Sequence, residues 1–162
     1  MKLGFIGLGI MGTPMATRLR EGGHDLFVMS RRAAPQALVD AGAKACATAA
    51  EVARQSDVIF LMVPDTPDVE KVLFGPGGVA EGLSSVASGP DGGLGKIVVD
   101  MSSISPMATK DFAQRINALG ELRDVLVPDR KRFHASFGLS NRRLKHAQAL
   151  VDDGERIAAH AA

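Results

Sequence analysis

Residues 2–12 read Lys-Leu-Gly-Phe-Ile-Gly-Leu-Gly-Ile-Met-Gly, and this stretch decides the fold. Its first residues predict a short buried strand, and the spacing of apolar residues over 12–20 predicts an amphipathic helix directly after it. Between the two, Gly7, Gly9 and Gly12 complete a Gly-x-Gly-x-x-Gly motif. A glycine-rich turn that leads from a strand into a helix is typical of a site for a dinucleotide.

Each glycine of the motif has a separate task in such a site. Gly7 permits the tight turn off the strand, Gly9 lets the backbone approach a pyrophosphate, and Gly12 lets the helix pack against the sheet. The helix N-terminus adds unpaired N–H groups and a positive dipole end. A purely structural turn is the alternative. We favour cofactor binding and assign the loop to it: Gly7, Leu8, Gly9, Ile10, Met11 and Gly12.

The composition indicates one globular domain. The chain has 162 residues and a net charge of +1, and 46% of its residues are hydrophobic. No apolar run reaches the roughly 20 residues that span a membrane. The single cysteine, Cys46, excludes an internal disulfide. We therefore expect a cytoplasmic protein with no membrane or nucleic-acid partner, and we assign no metal site and no catalytic residue.

The end of the second predicted strand, residues 25–30, is where such folds contact the adenosine ribose. Ser30, Arg31 and Arg32 stand there, about 20 positions after Gly9. An NAD site usually has Asp or Glu at this place for the 2′-hydroxyl, whereas arginines offer bidentate donors to a 2′-phosphate. We therefore predict NADP (NADPH) as the favoured cofactor over NAD. The alternative is that either arginine is only a solvated surface residue.

Further strand and helix patterns extend this unit into a sheet. Apolar segments follow at 43–46, 57–63 and 97–101, separated by helical or loop segments. Residues 57–63 do not alternate, which is typical of a central parallel strand covered on both faces. Thr48 and Glu51 have the spacing of a capping box. The predicted fold class is α/β, a Rossmann-like, doubly wound parallel sheet in three αβα layers.

The loop after the strand at 57–63 lies at the carboxyl edge of the sheet, where open α/β sheets bind ligands. We therefore assign Val63, Pro64 and Asp65 to the cofactor site. Thr66, which precedes Pro67, is predicted to be the N-cap of the next helix.

Serine residues follow the last of these strands. Ser103 is assigned to the cofactor and Ser102, more weakly, to substrate, because a hydroxyl group at this edge can bond either ligand. Ser105 precedes Pro106 and is predicted to be an N-cap residue without a role in binding. The helix that it starts should run from Pro106 to about Leu119.

These stretches together resemble the β-hydroxyacid dehydrogenases, in particular the 2-hydroxy-3-oxopropionate (tartronate semialdehyde) reductases, with the 3-hydroxyisobutyrate dehydrogenases as an alternative. The resemblance implies an NAD(P)-binding Rossmann domain followed by an all-helical domain for catalysis and dimerisation. It also implies that Arg31, the loop at Pro64 and Ser103 contact the dinucleotide. The matching stretches are residues 4–15, 62–65, 72–83 and 100–106.

The resemblance ends near Gly120. Two family motifs are absent beyond it: Asp-Ala-Pro-Val-Ser-Gly-Gly, which binds substrate, and Lys-x-x-x-Asn, whose lysine is the general acid. We therefore predict a Rossmann domain at 1–120 and a divergent tail at 121–162, with a possible strand from Leu122 and a helix capped by Ser140. Interleaved acids favour solvated charge over nucleic-acid binding for the basic residues of this tail.

Two functions remain open from the sequence. The first is the NADP-binding domain of a 2-hydroxy-3-oxopropionate reductase-type oxidoreductase without its catalytic helical domain, so that this chain alone is predicted to be inactive. The second is a dinucleotide-binding module without turnover. In either case, we expect self-association through the apolar surface that a helical domain would cover.

Overall fold

A parallel sheet with helices between its strands organises the protein. The computed structural model describes residues 1–84, 96–119 and 122–126. The helix predicted at Ser140 and the basic residues of the tail lie outside these ranges. In chain order the elements are β1 (Lys2–Ile6), α1 (Gly12–Glu21), β2 (Asp25–Met29), α2 (Gln36–Asp40), β3 (Lys44–Ala45), α3 (Ala49–Gln55), β4 (Val58–Leu61), α4 (Thr66–Phe74), α5 (Val79–Ser84), β5 (Lys96–Asp100), α6 (Pro106–Asn117) and β6 (Leu122–Leu126).

The strands are ordered β3-β2-β1-β4-β5-β6 and all pairs are parallel. The chain winds outward from β1 in one direction to β3, then returns to the other side of β1 for β4. On β1, Gly4 is paired with Phe27 of β2 and with Ile59 of β4. This order is that of a doubly wound dinucleotide-binding sheet, and it confirms the predicted fold class.

Two apolar clusters cover the two faces of the sheet. One contains Leu19 of α1 and Leu38 of α2, and the other contains Val52 of α3 and Phe112 of α6. The strands supply alternate side chains to the two clusters, and every residue of β4 is buried. The three-layer αβα arrangement and the buried central strand are therefore as predicted.

The sheet continues past the end of the family-like sequence. The strand predicted from Leu122 is present as β6, where Val125 is paired in parallel with Val98 of β5. Residues 122–126 thus belong to the sheet although they lie beyond Gly120, at which the sequence places the end of the domain.

Helix caps show one correct and one wrong prediction. The capping box is confirmed, because the Thr48 hydroxyl accepts the N–H of Glu51 at 3.1 Å and the Glu51 carboxylate accepts the N–H of Ala47 at 2.9 Å. The N-cap of α4 is Asp65, whose carboxylate accepts the N–H of Asp68 at 3.0 Å. The assignment of Thr66 to this position was wrong, because the preceding residue also has a side chain that caps well.

Thr66 and Ser105 instead join two loops. The N–H of Ser105 donates to the Thr66 hydroxyl at 3.3 Å. Ser105 occupies the N-cap position of α6, as predicted, but its side chain makes no capping hydrogen bond. Its carbonyl accepts the hydroxyl of Thr109 at 3.1 Å, so the first turn of α6 is held through backbone and Thr109 contacts.

Lys96 lies at the amino ends of the strands, on the side of the sheet opposite to the loops after β4 and β5. From the start of β5 its ammonium donates to the carbonyls of Ala53 at 2.5 Å, Arg54 at 2.9 Å and Ser56 at 2.8 Å. These carbonyls lie at the C-terminus of α3, where the last turn of a helix has no intrahelical donors. A cation there also opposes the negative end of the helix dipole.

We predict that Lys96→Met lowers the free energy of unfolding by about 1–3 kcal/mol, because it leaves partly buried carbonyls without their donor. Urea denaturation measures the change. Lys110→Met is the control, since Lys110 is exposed on α6 and its replacement should change stability by less than about 0.5 kcal/mol. Equal stabilities of the two variants would contradict this role of Lys96.

Candidate dinucleotide-binding site

The site lies where the strand order reverses, between the carboxyl ends of β1 and β4. Loops that leave these neighbouring strands diverge to opposite faces of the sheet, which opens a crevice at its edge. The N–H of Gly7 donates to the carbonyl of Met29 at 2.9 Å, and the N–H of Met62 donates to the carbonyl of Ile6 at 2.9 Å. The ladder therefore holds the ends of β2, β1 and β4 beside one another up to the crevice.

Two glycines of the motif are required by the protein itself. Gly7 has a φ of +103°, and a Cβ on it would collide with the carbonyl oxygen of Met62. A Cβ on Gly12 would collide with the carbonyl oxygen of Gly7. The first turn of α1 therefore packs directly on the turn that follows β1.

Gly9 is different, because nothing in the described protein explains why it is glycine. A Cβ on Gly9 would meet no atom within 4 Å, and its φ lies outside the left-handed region. The free space in front of it fits a group that approaches the backbone closely. A pyrophosphate is such a group.

The helix start beside Gly9 is suited to an anion. Within the described ranges, the backbone N–H groups of Ile10 and Met11 donate to no protein atom. The first turn of α1 carries no acidic residue, and no side chain caps this helix. Gly9, Ile10 and Met11 are all exposed, so the turn is open to solvent. Free N–H groups at a helix N-terminus are the usual partners of a phosphate.

The tip of β2 leads into the crevice from the other side. Ser30 is half-buried, whereas Arg31 and Arg32 are exposed. Arg31 is paired with an acid that the sequence did not point to, since Nη1 lies 3.3 Å from Oδ1 of Asp68, in the first turn of α4. Arg32 makes no polar contact with the described part of the chain. The Arg31–Asp68 pair is 37 positions apart, so no local spacing could have revealed it.

The loop after β4 is held by a hydrogen bond to the loop after β5. The N–H of Val63 donates to the hydroxyl of Ser102 at 3.0 Å, which ties this loop to the one after β5. Pro64 and Asp65 are exposed, and the carboxylate of Asp65 is engaged as the N-cap of α4. The structure thus brings 63–65 to the crevice edge, as their position after β4 predicts.

The loop after β5 contains one buried and one exposed serine. Ser102 is 9% exposed, and its N–H donates to Oδ1 of the buried Asp100 at 2.9 Å. Burial raises the pKa of Asp100, and the hydrogen bonds from Ser102 act in the opposite direction. Ser102 therefore has a structural role between the two loops, which the sequence did not show. Ser103 is exposed and free to face a ligand.

The remaining reactive side chain, Cys46, is not activated. It is partly buried, and burial followed by the charge of Glu51 raises the pKa of its thiol to about 11. In the part of the chain that the structure covers, no group of three His, Cys, Asp or Glu residues could hold a metal ion. No helix of that part is long and apolar enough to cross a membrane.

Comparison with known proteins agrees with this geometry. Residues 2–123 match the family described as the NAD binding domain of 6-phosphogluconate dehydrogenase. The 2-hydroxy-3-oxopropionate reductase of Escherichia coli (strain K12) is 51% identical over 120 residues, which are 74% of this chain and 38% of that protein.

Solved structures give the same match. A 3-hydroxyisobutyrate dehydrogenase from Salmonella typhimurium superposes with a TM-score of 0.61 at 27% identity, over 78% of this chain and 40% of that one. An imine reductase from Myxococcus stipitatus in complex with NADP+ gives a TM-score of 0.62 at 25% identity, over 78% and 40%.

The match supports the predicted resemblance and sets its extent. This chain spans about two fifths of the length of these relatives. The matched region contains the glycine motif, the tip of β2 and the loops after β4 and β5. The chain therefore belongs to the family of the NAD-binding domain of 6-phosphogluconate dehydrogenase.

Proposed function

We propose that this chain binds NADP(H) in preference to NAD(H), as the cofactor-binding part of an oxidoreductase of the 2-hydroxy-3-oxopropionate reductase type. Gly9 carries the first part of this proposal. Among the described residues it has no conformational or packing reason to be glycine, and it directly precedes Ile10 and Met11, whose N–H groups have no protein acceptor there. A pyrophosphate accounts for both observations.

Each residue that the sequence assigns to the cofactor has a place in this proposal. The loop at 7–12 holds the pyrophosphate on backbone N–H groups, and the tip of β2 contacts the adenosine ribose and its 2′-phosphate. The loops after β4 and β5 border the nicotinamide half of the cofactor. The pyrophosphate loop consists of Gly7, Leu8, Gly9, Ile10, Met11 and Gly12. The tip of β2 supplies Ser30, Arg31 and Arg32. The loops after β4 and β5 supply Val63, Pro64, Asp65 and Ser103.

The preference for NADPH rests on charge at the tip of β2. Arg31 and Arg32 are both exposed there, and each guanidinium can donate two parallel hydrogen bonds to a phosphate. The Myxococcus stipitatus imine reductase, a protein of the same fold, has been solved in complex with NADP+, which supports this choice of cofactor.

We predict that Arg31→Ala weakens NADPH binding roughly ten- to a hundredfold and leaves NADH binding nearly unchanged, because a lost charge-assisted hydrogen bond costs about 1.5–3 kcal/mol. Titration calorimetry with both cofactors measures this. Arg18→Ala is the control, since Arg18 is an exposed arginine in the last turn of α1, paired with Glu21 at 2.9 Å. Equal affinities of the unaltered protein for NADPH and NADH would refute the preference.

The proposed oxidoreductase class comes from the relatives. The E. coli protein that is 51% identical is named for the reduction of 2-hydroxy-3-oxopropionate, and this chain corresponds to 38% of it. Reduction of a carbonyl by hydride leaves negative charge on the oxygen, so the reaction needs a positioned proton donor.

The described lysines do not fill that role. Lys96 is held by three carbonyls at the amino edge of the sheet, away from the crevice, and Lys2 begins β1 at that same edge. The ammonium of Lys44, on β3, lies over the ring of Phe27, on β2. The other two, Lys71 of α4 and Lys110 of α6, are exposed on their helices.

We therefore propose that the chain of 162 residues binds cofactor without meaningful turnover. A proton donor typically contributes about 10²–10⁴-fold to such a step, so NADPH oxidation with tartronate semialdehyde should fall at least that far below the rate of the E. coli reductase assayed in parallel. Absorbance at 340 nm follows the reaction. Rapid oxidation that Gly9→Val abolishes would contradict the proposal and would locate a proton donor within this chain.

A further inference from the structure

We propose that Asp68 is a specificity-determining residue that weakens the preference of this site for NADPH, because its carboxylate competes with the 2′-phosphate for the guanidinium of Arg31. This inference rests on the proposed function, in which Arg31 binds that phosphate. It lowers the expected preference for NADPH, because the carboxylate of Asp68 lies beside Arg31 at the tip of β2.

The pair brings together two elements that are distant in sequence. Arg31 follows β2, and Asp68 lies in the first turn of α4, with Oδ1 at 3.3 Å from Nη1. Among the described residues, Asp68 is the one polar partner of Arg31. The loop from β4 to α4 therefore delivers a carboxylate to the place at which the sheet presents its phosphate-binding arginine.

The two partners are held to different degrees. The Asp68 side chain is 25% exposed, and its backbone N–H is bound to the N-cap carboxylate of Asp65 at 3.0 Å. The Arg31 side chain is 73% exposed and has no second anchor in the described ranges. The acid is thus a fixed part of α4, whereas the arginine is the partner that can turn toward a ligand.

A 2′-phosphate meets two costs at this pair. It must take hydrogen-bond donors of Arg31 from the Asp68 carboxylate, and it brings a second negative group within a few ångströms of the first. NADH carries a 2′-hydroxyl in place of the phosphate and meets neither cost. The carboxylate thus acts against one cofactor only, which is how a repulsive group sets specificity.

Arg32 explains why the site still favours NADPH. It is exposed and, within the described residues, has no acid paired with it, so its guanidinium is available to the phosphate at no such cost. Arg32 strengthens the preference for NADPH, whereas the pairing of Arg31 with Asp68 weakens it. The preference therefore lies below that of a site with two unpaired arginines.

The test is the ratio of NADPH to NADH affinity, measured by titration calorimetry at low salt, in the unaltered protein and in Asp68→Asn. We expect the ratio to rise about 1.5- to fivefold in Asp68→Asn, the range for an exposed charge pair, through a gain in NADPH affinity. The substitution keeps the shape of the side chain and the Asp65 cap, so thermal unfolding of the two proteins should coincide within a few degrees.

Two matched variants make the result specific. Glu70→Gln removes the same charge two positions further along α4 and breaks a different arginine pair, with Arg115 at 2.9 Å, so it should leave the ratio unchanged. In an Arg31→Ala background, the rise caused by Asp68→Asn should be clearly smaller than in the unaltered protein, because the competition has been removed and only the repulsion of the phosphate remains.

The proposal is overturned by a ratio in Asp68→Asn that is unchanged or lower. It is equally overturned if Glu70→Gln gives the same rise, or if the rise is as large without Arg31, since either result shows a general field effect. Failure of the proposed function looks different. In that case the unaltered protein binds neither dinucleotide, or Arg31→Ala leaves NADPH binding unchanged.

Discussion

The contact between the first turn of α1 and the turn after β1 is the constraint on which the site depends. Gly12 packs on the carbonyl of Gly7, and Gly7 packs on the carbonyl of Met62. Two backbone contacts in series thus join a helix, β1 and β4 with no side chain between them. The helix N-terminus is thereby held at the switch point of the sheet, where the N–H groups of Ile10 and Met11 have no acceptor among the described residues.

The loops on the far side of the crevice are fixed by a second set of contacts. Ser102 joins the loops after β4 and β5 through the N–H of Val63, and the buried carboxylate of Asp100 orients Ser102. A second hydrogen bond, from the N–H of Ser105 to the hydroxyl of Thr66, joins the same two segments. Buried polar groups that are fully hydrogen-bonded favour one arrangement of a loop, so this edge of the site is built before a cofactor arrives.

The sequence reveals the parts of this design that depend on local spacing. The tight turn at Gly7, the close packing at Gly12, the unbroken apolar strand at β4 and the cap of α3 by Thr48 each depend on a few consecutive residues, and each was predicted correctly. Local sequence is not sufficient where two adjacent residues suit the same position. Asp65 and Thr66 are adjacent residues that both cap helices well, and only the path of the backbone decides that Asp65 does so.

Contacts between distant segments could not be predicted in this way. Arg31 meets Asp68 only because the sheet order sets the end of β2 near the start of α4, and Ser102 meets Val63 only because β4 and β5 are neighbours. The prediction that two arginines favour NADPH considered only the tip of β2, and did not include the acid of α4 that is paired with Arg31.

We propose that position 9 is glycine because a bound pyrophosphate needs the space that a side chain would fill. The most direct measurement is the NADPH dissociation constant of Gly9→Ala, beside that of Gly22→Ala, a glycine at the end of α1 where a Cβ meets ordinary contacts of 3.4 Å or more. We expect both variants to keep nearly the stability of the unaltered protein, and Gly9→Ala alone to lose at least about tenfold in affinity, because its methyl group occupies the space of the ligand. Binding by Gly9→Ala as tight as that of Gly22→Ala would contradict it.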